Sequence, residues 1–291
     1  MQYLNLDSAF EPYGKGIQFE SFTFSGGEIH VRILEDVSTV DELTITCRPT
    51  SFNDIGTVLI ASDALRRAGV SRLSLVIPYF PAARQDRIMV SGESLAVKVY
   101  ADLINSCGFE RVIVFDPHSD VTPAVLDNAV VVQNHTYVKE IIQDLNDYHL
   151  VSPDGGALKK VHKLAQQLNA SSVVECSKVR NVKTGKLSGF TVYAEDLQQK
   201  TCLVVDDICD GGGTFLGLAD ELKRKNAGKL ILVVSHGIFS KGTDLLKEKY
   251  DEIYTTDSFK SLQSEGVNCV KLNKELLLSL IHISEPTRRP I

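Results

Sequence analysis

Four short apolar runs along the chain break off into polar residues: LSLVIPYF at 73–80, RVIVFDPH at 111–118, CLVVDD at 202–207 and LILVVSHG at 230–237. Runs of this length, rich in Val, Ile and Leu and without polar alternation, predict strands buried on both faces, as in parallel sheets. Between them apolar residues recur at helical spacing: Ile55, Val58, Leu59 and Leu65 before Gly69, then Leu95, Val99, Leu103 and Ile104 before Gly108. Strand and helix thus alternate, which predicts a doubly wound α/β sheet.

The alternation restarts near HLVSPDGG at 149–156, where a strand runs into a glycine pair and then an amphipathic stretch carrying Leu158, Val161, Leu164 and Leu168. Two α/β domains are therefore expected, over residues 1–140 and 141–279, with the boundary in the 134–148 region and no Pro- or Ser-rich linker between them. The last dozen residues, LIHISEPTRRPI, carry no apolar period and resemble translated cloning or adaptor sequence, so 280–291 is set apart as a non-native tail.

Composition narrows the function classes. With 291 residues, 43% hydrophobic, the chain can bury sizeable cores. A formal net charge of −6 gives no broad basic field for nucleic acid or anionic lipid. An anionic substrate must instead be held by local cations, backbone amides or a metal. The six cysteines (Cys47, Cys107, Cys176, Cys202, Cys209, Cys269) form no CxxC pair, which suits a reduced, cytoplasmic setting. No apolar run approaches the roughly 20 residues that span a bilayer, and neither export nor membrane insertion is expected.

The strongest local signal is CLVVDDICDGGGTF at 202–215, an apolar strand that meets Asp206 and Asp207 and passes through glycines into a helix. Ligands of open α/β sheets bind at the carboxyl ends of strands. Asp210, Gly211, Gly212, Gly213 and Thr214 would present backbone N–H groups at a helix N-terminus, where unpaired donors and partial positive charge suit a phosphate. Adjacent carboxylates can accept hydrogen bonds from vicinal ribose hydroxyls, directly or through Mg²⁺. Three successive glycines entering a helix forfeit about 1 kcal/mol each relative to alanine, so a purely structural turn has little use for them.

This loop resembles the phosphoribosyl pyrophosphate motif shared by phosphoribosyltransferases and phosphoribosyl pyrophosphate synthetases. VIPYFPAARQDR at 76–87 resembles the ARQDR region of the synthetases, which simple transferases lack. The resemblance implies two similar doubly wound domains of the phosphoribosyltransferase type, the first binding ATP and the second ribose phosphate. It assigns Arg84, Gln85 and Arg87 to ATP, where guanidinium groups pair with phosphate oxygens. In VIVFDPHSD at 112–120, Asp116 and His118 resemble the family's DxH element beside the ATP-bound magnesium; two residues apart on an extended end, they are expected to face the same way. VSPDGGALKK at 151–160 resembles its SPDxGG-type turn, with Asp154 facing ribose phosphate or a second Mg²⁺, or simply capping the helix that follows.

ECSKVRNVKTGKLSG at 175–189 is similar to the family's catalytic loop, in which Lys178 and Arg180 follow a strand and Gly185 and Gly189 permit a flap to close. FSGGEIHVRI at 24–33 resembles the segment that meets adenine across a subunit interface, through Phe24 and Glu28, with Gly26 where the family has Asp or Asn. A homo-oligomer, dimer or hexamer, follows from that resemblance. SHGIFS at 235–240 also matches the family pattern, and His236 is given a structural role. These elements occur in order across roughly residues 3–275.

The implied reaction is attack of a ribose 5-phosphate anomeric hydroxyl on the β-phosphorus of Mg-ATP, with AMP leaving. The loop Asp210-Gly211-Gly212-Gly213-Thr214 departs from the family's usual D-T-[AC]-G-T. Loss of a hydroxyl at Gly211 opens space that would suit ADP-ribose, which short phage-type relatives pyrophosphorylate in rebuilding NAD⁺. A phosphoribosyltransferase would leave ARQDR and the first domain without a task. A non-catalytic regulator would have no use for Lys178, Arg180, His118 and both acids.

Overall fold

A computed structural model describes residues 2–170, 172–180 and 187–278. The chain divides into two compact units, Met1–Gln133 with Lys271–Ile291, and Asn134–Val270. The return of the chain to the first unit at Lys271 has no counterpart in the sequence reading.

The first unit contains β1 (Gln2–Asn5), β2 (Phe19–Thr23), β3 (Ile29–Ile33), β4 (Glu42–Thr46), α1 (Phe52–Arg67), β5 (Arg72–Val76), α2 (Ala96–Asn105), β6 (Arg111–Phe115), α3 (Val121–Val125) and β7 (Ala129–Val132). Its five-stranded sheet runs β1-β4-β5-β6-β7, parallel throughout, and β2 and β3 form a separate antiparallel ribbon. α1 starts where the sequence provides a capping box: the Asp54 N–H donates to Ser51 Oγ and the Ser51 N–H to Asp54 Oδ2. Ile55, Val58 and Leu65 are buried as expected. On α2 the buried face is Val97, Ala101 and Ile104; of the residues expected inside, Ile104 is buried, Leu95 and Leu103 pack partly against the core, and Val99 is exposed.

The second unit contains α4 (His135–Ile141), β8 (Tyr148–Ser152), α5 (Leu158–Leu168), β9 (Val173–Arg180), β10 (Leu187–Val192), β11 (Thr201–Cys209), α6 (Gly213–Arg224), β12 (Leu230–Gly237), α7 (Asp244–Lys247), β13 (Glu252–Thr256) and β14 (Asn268–Val270). Its seven strands run β10-β9-β8-β11-β12-β13-β14, parallel except for the antiparallel β9–β10 pair. The central β11 and β12 are buried almost end to end, which is why their sequences read as continuous apolar runs. Last in the chain, α8 (Lys274–Leu278) lies against β7 of the first unit, burying Leu276 and Leu277. Among the described residues no helix is long and apolar enough to cross a membrane.

Candidate active site

In the second unit the candidate residues gather at the carboxyl ends of β8, β9 and β11. β8 ends at Ser152, and two residues later the Asp154 Oδ1 accepts the N–H groups of Gly156 (2.8 Å) and Ala157 (3.1 Å), closing the turn that leads into α5, whose N-cap Ala157 has no side-chain cap bond. Its other oxygen, Oδ2, forms an ion pair with Lys178 Nζ. Burial pushes the Asp154 carboxyl up, but the Lys178 pair and the two backbone donors outweigh it and leave it below the usual carboxylate range. Closing the turn before α5 and pairing with Lys178 are therefore two functions of one side chain.

Lys178 lies inside β9, opposite Phe190 of β10, and does not follow the strand as expected. The antiparallel partner β10 extends the ladder and carries β9 as far as Arg180. The Arg180 side chain, and with it Gly185, lies outside the described residues. Gly189 sits at a register shift between β10 and β9.

β11 likewise continues past its acids, because Ile208 and Cys209 still pair with His236 and Gly237 of β12. The Asp207 N–H donates to Asp206 Oδ1 at 2.9 Å, and Lys160 Nζ of α5 stands 3.9 Å from Asp207 Oδ2. Desolvation holds the Asp206 carboxyl well above its ordinary range. The charge of Asp207, a hydrogen bond with its carboxyl and the charge of Asp154 add to the effect. Such a pair gains from a cation. Its hard oxygen donors fit Mg²⁺ chemically, and Mg²⁺ is commonly held by one or two carboxylates together with substrate phosphates. Among the described residues no group of three or more His, Cys, Asp or Glu side chains is arranged to hold a metal by itself.

The loop after Cys209 turns at Gly212, whose φ of +75° makes it a left-handed N-cap of α6 without any side-chain cap bond. A Cβ there would be strained, and it would also meet Leu246 at 3.4 Å. Asp210, Gly211 and Thr214 are partly buried around that turn, and Gly213 is exposed. His236 is buried, with Nδ1 2.7 Å from Ser258 Oγ.

In the first unit the ARQDR segment is a turn tied to α2: the Gln85 N–H donates to the Ala82 carbonyl at 2.8 Å, and the Gln85 carbonyl accepts the Val97 N–H at 3.4 Å. Arg84, Gln85 and Arg87 are exposed. Asp86 is buried, and its carboxylate takes Arg87 Nε at 2.8 Å and Nη2 at 3.1 Å. The Arg87 fork foremost, helped by a Ser119 hydrogen bond and the nearby His118, lowers the Asp86 carboxyl to about 2. Sequence reasoning passed over Asp86. An acid between two arginines was the available signal.

β6 ends at Phe115, and Asp116 then adopts a left-handed φ of 38° with its N–H donating to the Val132 carbonyl at 2.7 Å. The premise that Asp116 and His118 share one face of an extended end therefore does not hold; Asp116 is buried and His118 only partly so. On the β2–β3 ribbon Phe24 is 53% exposed and packs edge-on against Phe22 at 4.9 Å. The Glu28 carboxylate comes within 2.5 Å of where a Cβ at Gly26 would stand, so the side chain missing at 26 leaves room that Glu28 uses.

The family model for the N-terminal domain of ribose phosphate pyrophosphokinase matches residues 15–108, and that for the phosphoribosyl transferase domain matches 125–269. A ribose-phosphate pyrophosphokinase of Marinomonas sp. (strain MWYL1) is 33% identical over 276 residues, covering 91% of this chain and 85% of that protein. The Haemophilus influenzae ribose-phosphate pyrophosphokinase is 33% identical over 275 residues, with the same coverage of 91% and 85%. The crystal structure of phosphoribosylpyrophosphate synthetase from Mycobacterium smegmatis superposes with a TM-score of 0.76 at 26% identity, over 89% of this chain and 87% of that one.

Proposed function

The chain belongs to the ribose-phosphate pyrophosphokinase family, and from that premise we propose that it transfers the pyrophosphoryl group of Mg-ATP to the anomeric hydroxyl of ribose 5-phosphate, giving phosphoribosyl pyrophosphate and AMP. The observation that carries this reading is the run of β11 through Asp206 and Asp207 into the Gly212 turn that opens α6. Acids for ribose hydroxyls and amides for a phosphate then stand on one strand–turn–helix.

Asp206 and Asp207 hold the ribose hydroxyls and so align the attacking oxygen, while Gly211, Gly212, Gly213 and Thr214 grip the 5′-phosphate through their N–H groups. Lys178 stabilises negative charge on the group in transfer; its tie to Asp154 fixes where the ammonium sits. Arg180 shares that task by family resemblance. Arg84, Gln85, Arg87 and His118 bind the nucleotide, Phe24 offers an exposed aromatic face to adenine, and Glu28 accompanies it. Asp116 and His118 would hold the ATP-bound Mg²⁺ and Asp154 a second one; such ions would supply charge neutralisation and orientation of the phosphates. Completion of the adenine site by a second copy of the chain accounts for a homo-oligomer.

A second acceptor is favoured by one observation, the absence of a side-chain hydroxyl at Gly211. The same chemistry on ADP-ribose, whose 5′-phosphate is esterified, needs one donor fewer. Incubation with Mg-ATP and either acceptor, followed by mass identification of the products, tests both readings. AMP without ADP, together with an acceptor heavier by one pyrophosphoryl group, is the expected result; no AMP with either acceptor contradicts them.

A further inference from the structure

The room left by the missing side chain at Gly211 is bounded by Lys241. A Cβ at Gly211 would lie 3.5 Å from both Cδ and Cε of Lys241 and 3.8 Å from its Cγ. The lysine's aliphatic arm is thus laid along the glycine.

That placement is fixed by the backbone. After β12, the Ile238 and Phe239 N–H groups donate to the Cys209 carbonyl at 2.9 and 3.1 Å, and the Ser240 N–H donates to the Asp210 carbonyl at 3.1 Å. Gly242, at φ +77°, then turns the chain, with its N–H on the Phe239 carbonyl at 3.0 Å. Lys241 sits between the last of these bonds and the turn, so its backbone is held beside the loop. Among the described residues no carboxylate pairs with its ammonium. By contrast, Lys178, Lys160 and Lys247 of the same unit are each matched to an acid.

We propose that Lys241 is an acceptor-binding residue: its ammonium meets the phosphate carried on O5′ of the acceptor, taking the place of the hydroxyl donor the loop lacks at Gly211. The inference rests on the reading of this loop as a phosphate cradle. It deepens that reading by making recognition of the phosphate electrostatic. A neutral hydroxyl donates one hydrogen bond at a fixed distance, whereas an ammonium on a four-carbon arm offers three donors and a full charge, and follows a phosphate of either geometry. Glycine at 211 leaves the arm its room, since a Cβ there would stand in van der Waals contact with the Lys241 methylenes.

The test compares wild type, Lys241→Met and Lys241→Arg; the exposed loop position and the preserved methylenes keep the fold. Binding of ribose 5-phosphate and of ADP-ribose is titrated calorimetrically in the absence of ATP, at 50 and 300 mM salt. For the acceptor it uses, wild type is expected to bind about tenfold more tightly than Lys241→Met, with most of that difference lost at high salt, and Lys241→Arg to recover a large part of it. The acceptor that shows the Lys241 dependence identifies which phosphate, terminal or esterified, the lysine reads. Equal affinity of wild type and Lys241→Met for both acceptors, or no binding of either by wild type, overturns the inference. Turnover is followed separately. Tight, Lys241-dependent binding without AMP release leaves the lysine's role standing and sinks the proposed reaction, whereas AMP release with an acceptor KM unmoved by Lys241→Met does the reverse.

Discussion

Lys178 on β9 and Asp154 in the turn before α5 form an ion pair, so the candidate catalytic cation is anchored by the same carboxylate that closes that turn. Removing either member has a consequence at the other.

Lys178→Ala should lower kcat on the order of 10²–10³-fold, in the range of lost cationic stabilisation of a phosphoryl group. It should also release Asp154, whose carboxyl Lys178 holds below the ordinary range. The Asp154 titration, followed by carboxyl NMR, should move upward in the variant. Near-normal turnover at saturating substrates would show that Lys178 is a structural partner of Asp154 and nothing more.

Asp206→Asn should separate stability from activity. A carboxyl raised well above its unfolded value opposes folding as pH rises through the folded pKa. At neutral pH the uncharged amide removes that penalty, and the melting temperature should rise by a few degrees while acceptor turnover collapses. The stability gain should shrink as pH is lowered, because wild-type Asp206 is then protonated. A variant less stable than wild type at pH 7 would mean that Asp206 is not under the electrostatic load described.

Asp86→Asn tests the buried fork. With the folded carboxyl at about 2, below its unfolded value, the contribution of Asp86 to stability is complete above pH 4 and is lost as pH falls toward 2. The variant should be less stable than wild type by about 1–2 kcal/mol at pH 7, and the two stability curves should converge below pH 3. Arg87, freed from Nε and Nη2 contacts, should bind ATP several-fold more weakly while the acceptor KM stays put.

These sites differ in how far the sequence disclosed them. Central strands were plain because β11 and β12 are buried on both faces, so nothing but apolar residues fits. The glycine turn was plain because only glycine is comfortable at φ +75°. Strand ends were harder: hydropathy stops at Val205, but the hydrogen-bonded ladder carries polar Asp206 and Asp207 on to Cys209, and β9 carries Lys178 in the same way. The β2–β3 ribbon sets Val31 into the core with Phe19, Ile29 and Ile33 packed against it, but Phe22 and Phe24 are exposed and carry no such pattern. Long-range partnerships such as Asp154 with Lys178, or the fold of α8 back onto β7, join residues far apart in the chain and leave no periodic trace.

Gly212→Ala should cost about 1–2 kcal/mol, because the residue needs φ +75°. The acceptor KM should rise with little change in that of ATP. Urea unfolding and initial-rate kinetics check the two halves, and a fully stable variant with unaltered kinetics would show that the turn tolerates an ordinary residue.

Positional isotope analysis addresses the chemistry most directly. ATP carrying ¹⁸O in the bridge between its α- and β-phosphorus atoms is turned over with the acceptor, and the products are separated by mass. Attack on the β-phosphorus predicts that all of the label leaves with AMP. Label in the sugar's pyrophosphoryl group, or recovered in ADP, would contradict the account.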